Sequence, residues 1–121
     1  MRLLLTISLL AWLSGAQAES IRILVQNSPL AGSQYYSMEA YWTDIKVGDA
    51  LTLIREPDNR HDHNAIRVEW RGKKLGYVPR AQNRAVAAAM DAGDHLTARV
   101  SSLSDNKNPW QRLAFEVFVE L

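Results

Sequence analysis

Residues Ala65-Ile66-Arg67-Val68-Glu69-Trp70 alternate between apolar and charged side chains over their middle four positions. A period of two lets an extended chain bury one face and wet the other, so Ile66 and Val68 point inward and Arg67 and Glu69 outward. The earlier run Ala50-Leu51-Thr52-Leu53-Ile54-Arg55-Glu56 has the same strand character, with Leu51, Leu53 and Ile54 offered to the core. Between the two lies Pro57-Asp58-Asn59-Arg60-His61-Asp62-His63-Asn64. Proline lacks the ladder donor, and Asp and Asn hydrogen-bond their own backbone, so this segment is predicted to be a turn between two strands. Arg71-Gly72-Lys73-Lys74 reads as a hairpin turn into a strand over Leu75-Gly76-Tyr77-Val78.

The rest of the chain supplies the other half of a small core. Ile21 to Gln26 is a β-branched run closed by a loop from Asn27-Ser28-Pro29, and Met38 to Ile45 is read as a further strand. Pro79 suits the first turn of a helix that continues through the alanines to Met90, with Val86, Ala89 and Met90 on its apolar stripe and Gly93 ending it. His95 to Leu103 and Leu113 to Val119 return to β character. Several short strands with one interrupting helix predict a mainly β, α+β domain built as a small, partly open β-barrel.

Ahead of this domain, Met1-Arg2, the apolar run Leu3 to Leu13 and the small-residue exit Ser14-Gly15-Ala16-Gln17-Ala18 have the order of a secretory signal peptide. The apolar run is shorter than the ~20 residues a bilayer span needs. Residues 1–18 are therefore expected to be removed and Glu19 to begin an exported chain, periplasmic or secreted, with no stable membrane span. The loss takes Arg2 away and leaves the remainder formally neutral, so net charge alone does not mark a nucleic-acid binder. The local balance differs, because residues 55–84 carry eight Lys or Arg against four acids. There is no cysteine, so the domain must stand on its core without disulfides.

The polar turn also concentrates chemistry. Asp58, Asn59, Asp62 and Asn64 could receive a sugar hydroxyl or a hard cation through oxygen, or could equally cap the turn's own N–H groups. His61 and His63 are weak metal candidates, with His95 as a possible third ligand. Arg55, Arg60, Lys73, Lys74 and Arg80, with Arg67 and Arg84, could line a groove following a phosphate backbone, with tyrosines as stacking platforms, or form a solvated surface. Trp42, Trp70 and Trp110 read as core lids or edge covers. No serine sits in a nucleophile-elbow setting, and no Gly-rich Lys-Ser or Lys-Thr loop is present, so an enzyme is not expected.

The run Arg55-Glu56-Pro57-Asp58-Asn59-x-x-Asp62-x-Asn64-Ala65-Ile66-x-Val68, followed by Gly76-Tyr77-Val78-Pro79 and an alanine-rich helix, resembles the HIRAN domain family from about Ser20 to Leu121. The resemblance implies an OB-like barrel which, in fork-remodelling ATPases, grips the 3′ end of single-stranded DNA. By motif position it implies stacking on Tyr35 and Tyr36 and reception of the terminal nucleotide and its 3′-hydroxyl by Asn59, His61 and Asp62. It also implies later contacts from Tyr77 and Phe115.

The expectation is thus a non-catalytic module for single-stranded nucleic-acid 3′ ends or a nucleotide-like ligand, working without a cofactor. The alternative is a structural or interaction protein of the cell envelope that has lost DNA-end binding and takes a protein partner. A metal-dependent hydrolase using the His61-Asp62-His63 turn is the third class.

Overall fold

The computed structural model describes residues 21–121, so the leader expected over residues 1–18 lies outside the described residues. Six strands, β1 (Arg22–Pro29), β2 (Ala50–Arg55), β3 (Ile66–Trp70), β4 (Lys73–Tyr77), β5 (His95–Leu103) and β6 (Leu113–Glu120), form one antiparallel sheet in the order β1-β6-β5-β2-β3-β4. Two helices, α1 (Met38–Tyr41) and α2 (Arg84–Asp91), decorate it. At one end the outer strands meet, where Ala31 and Tyr77 exchange both backbone hydrogen bonds at 2.9 Å. The sheet therefore curls into a partly open barrel, as its alternating strands predict.

β3 buries the residues its alternation assigns inward. Ile66 and Val68 are fully buried and Trp70 nearly so, while Arg67 and Glu69 keep partial access to solvent. These side chains join Leu30, Leu75, Val86, Val100, Leu113 and Val117 in a single core. The β3–β4 turn is tighter than the four residues expected, because Trp70 pairs directly with Lys73. Arg71 and Gly72 take positive φ angles of 47° and 79°, the twist a two-residue hairpin needs, so Lys73 and Lys74 belong to the strand. Gly76 is required by close approach, since a Cβ there would run into the Ala31 carbonyl at the barrel closure.

Three other expectations change. β1 runs on through Asn27, Ser28 and Pro29, paired with β6 as far as Ala114. A sheet-edge position tolerates a proline because its missing N–H faces away from the ladder. Residues 38–41 form a helical turn rather than a strand, and the reason is a 3.6-residue stripe: Met38 and Ile45 are buried, with Tyr41 and Trp42 packed against the core between them. Pro79 caps a 3-10 turn at Arg80–Gln82, and α2 starts only after Asn83. Val86 and Ala87 are the helix's buried residues, and Gly93 (φ 92°) ends it as expected, donating to Met90 while Asp94 donates to Ala89.

Candidate functional site

The turn between β2 and β3 builds itself first. The Glu56 N–H donates to the Ala65 carbonyl at 3.0 Å, and Pro57 then carries the chain off the ladder. The Asn59 N–H turns back to the Glu56 carbonyl, and its side-chain Oδ1 accepts from the His61 N–H at 2.9 Å. Asp62 repeats the device, its Oδ1 accepting from the Asn64 N–H at 2.9 Å. Such side-chain-to-backbone bonds are what Asn and Asp offer a turn in place of ladder partners.

Long-range bonds then fix the turn to the barrel. The Asn83 amide, buried in front of α2, donates to Asp62 Oδ2 at 2.7 Å. Glu56 Oε1 accepts from both the Asn59 amide (3.0 Å) and the Tyr77 hydroxyl (2.9 Å), while Arg67 lies 3.3 Å from Glu56 Oε2. Arg55 donates to the Ala65 and His63 carbonyls and makes a two-pronged ion pair with Asp91, tying the turn's base to α2.

Burial alone would raise the Glu56 carboxyl, but the bonds from Asn59 and Tyr77 and the charges of Lys74 and Arg67 outweigh it and hold it below its ordinary value. Asp62 follows the same pattern. Burial is overcome by the Asn64 N–H, the Asn83 amide and the nearby Arg80 and Arg55 charges. Both groups are carboxylates at neutral pH. Tyr77 is pushed the other way, raised by burial and by its bond to Glu56 against the opposing Lys74 charge, so it stays a neutral donor.

Above this network lies a cleft of about 370 Å³ whose walls include Tyr36, Asn59, His61, Asp62, Tyr77, Arg80 and Trp110. The Tyr36 and Tyr77 rings meet edge to face, with centroids 6.0 Å apart. The Lys74 ammonium sits 4.2 Å from one ring centroid and 4.7 Å from the other. Aromatic faces, one guanidinium and an anchored carboxylate thus converge on one hollow. A second hollow of about 220 Å³, lined by Val25, Val86, Leu96 and Val119 among others, is mainly apolar and holds none of the expected site residues.

The structure therefore gathers Tyr36, Asn59, His61, Asp62, Tyr77 and Arg80 in one place, with Lys74 behind the rings. It separates others. Tyr35 is 77 % exposed and does not line the cleft. Phe115 is fully buried in the core, opposite Ser28 and Val100, and cannot meet a ligand. Arg55 is spent on the Asp91 pair, Lys73 lies over the Tyr41 ring, and Arg60 is exposed without lining the cleft. His63 also lies outside the cleft, and His95 faces Glu120. No three His, Cys, Asp or Glu side chains form a metal-ligating group among the described residues.

Two site residues escape sequence reasoning. Trp110 is 46 % exposed on the cleft wall rather than a lid, held by the Asn108 side chain, which accepts from its N–H at 3.1 Å. The Asn-Pro before it was the available signal. Asn83 carried none beyond being a polar residue in an alanine-rich stretch.

A family model described as HIRAN domain matches residues 23–121. Among solved structures, a protein from Lactobacillus plantarum is 31% identical with a TM-score of 0.74, covering 84% of this chain and 98% of that one. The HIRAN domain of human HLTF is 20% identical with a TM-score of 0.64, covering 82% of this chain and 78% of its own, and shares the fold. No curated protein matches the sequence.

Proposed function

This chain belongs to the HIRAN domain family, and on that premise we propose that its cleft is a non-catalytic receptor for the free 3′ end of a single-stranded nucleic acid. The observation that carries the proposal is the meeting of the Tyr36, Tyr77 and Trp110 side chains with Arg80 and the Asp62 turn around one hollow. Ring faces stack on any base, and a guanidinium pairs with phosphate oxygens. A carboxylate beside phosphates would only repel them, so Asp62 serves this ligand by accepting a hydrogen bond from a hydroxyl. Each Asp62 oxygen already accepts one protein donor and retains a further lone pair for that purpose.

Loss of a stacking ring should weaken binding by about 1–3 kcal/mol per base. Tyr36→Ala and Trp110→Ala, measured by fluorescence anisotropy on a short labelled oligonucleotide, are expected to show it, while Tyr35→Ala remains near wild type. Equal losses at Tyr35 and Tyr36 would place the ligand outside the cleft. The same proposal takes the working protein as exported and beginning at Glu19. Mass spectrometry of the periplasmic or secreted fraction checks this, and recovery of the full-length chain solely from the cytosol would refute it.

A further inference from the structure

We infer that Glu56, which does not itself line the cleft, is its positioning residue, acting by the reach of one carboxylate oxygen rather than by its charge. Glu56 Oε1 takes a hydrogen bond from Asn59 at 3.0 Å and another from Tyr77 at 2.9 Å. These two donors come from different walls, Asn59 from the turn after β2 and Tyr77 from the end of β4, and both line the cleft. A single atom therefore ties the side chains of the two walls to each other. The Tyr77 ring in turn sets the edge-to-face partner Tyr36, so the aromatic platform inherits its orientation from the same oxygen.

The bonds also decide what is left for a ligand. Asn59 spends its amide on Glu56 and its oxygen on the His61 N–H, and Tyr77 spends its proton on Glu56. These groups keep one Asn59 N–H and the remaining oxygen lone pairs for a ligand, at positions the network fixes. They shape a slot for a planar ring, and a group held within about 0.5 Å of its working position is what such a slot requires. Arg67 at Glu56 Oε2 steadies the carboxylate from the other side without touching the cleft.

Two conservative variants separate reach from charge. Glu56→Asp keeps the charge but is one methylene too short to hold both donors, whereas Glu56→Gln loses the charge but keeps an oxygen at the same reach. In NMR spectra of the free protein, E56D should move the Asn59 side-chain amide and Tyr77 ring resonances, and E56Q should leave Tyr77 near its wild-type position. With a free-ended oligonucleotide, E56D should bind roughly ten- to a hundredfold more weakly and E56Q within about threefold of wild type. If E56D leaves both resonances in place, or E56Q disturbs them as much as E56D does, the inference is wrong. The binding arm rests on the proposed function and the spectral arm does not. A wild-type protein that binds no oligonucleotide would overturn the function, while the spectra would still decide the role of Glu56.

Discussion

Strand β3 and the turn immediately before it are held by opposite means. β3 is fixed by Ile66 and Val68, both fully buried in a core shared with β2, β4, β5, β6 and both helices. Residues 56–65 bury little apolar surface and are fixed by a lattice of directed bonds among Glu56, Asn59, Asp62, Tyr77 and Asn83. Apolar burial is non-directional and tolerates small displacements, whereas a hydrogen bond specifies position. The difference teaches that stability and site geometry reside in adjacent stretches of one hairpin and should respond to different perturbations.

The largest expected effect breaks the first region alone. Ile66→Ala should cost about 2–5 kcal/mol in urea unfolding, the range for deleting a fully buried aliphatic side chain. Gly76→Ala comes next, at roughly 1–3 kcal/mol, because its Cβ would force the Ala31 carbonyl and the Leu30 side chain apart at the barrel closure. Both variants should shift the unfolding midpoint.

Acid sharpens the contrast. The Glu56 and Asp62 carboxyls lie below their ordinary values in the folded protein, so their stabilisation is fully present above the unfolded carboxylate range and is lost as pH falls through the folded values. Wild-type stability measured from pH 7 downward should therefore decline below about pH 4. Asp62→Asn should flatten that acid limb, while Ile66→Ala should lower the whole curve without changing its slope. An acid limb unchanged in Asp62→Asn would show that Asp62 does not carry its share of this linkage. The smallest effect belongs to Arg67→Ala, whose partly exposed pairs with Glu56 and Glu69 are worth about 0–1 kcal/mol.

How much of this was legible follows the same division. A period of two is local, so β3 and its buried face could be read from six residues. The helical stripe Met38, Tyr41, Trp42 and Ile45 was equally local, but a helix of four residues offers too little pattern to outweigh its strand-like composition. Phe115 is instructive, because its place in the alternation Leu113, Phe115, Val117 already pointed to the core, where the resemblance alone suggested a ligand contact. Lys73 and Lys74 were misplaced because Arg71, a non-glycine residue, takes the left-handed conformation that shortens the turn. The Asp62–Asn83 and Glu56–Tyr77 bonds each join residues 21 apart in sequence, and no local period encodes such a pairing. The motif residues themselves were visible, but which of them face a ligand depends on how the barrel closes between Ala31 and Tyr77.

The central claim, that the cleft receives a free 3′ end, is tested most directly by comparing one oligonucleotide carrying a 3′-hydroxyl with the same one carrying a 3′-phosphate, by fluorescence anisotropy at fixed salt. The account predicts tighter binding of the hydroxyl end, and predicts that Asp62→Ala, with its fold checked by circular dichroism, removes that preference while leaving the weaker phosphate-ended complex almost unchanged. Equal affinity of the wild-type protein for the two ends would contradict it.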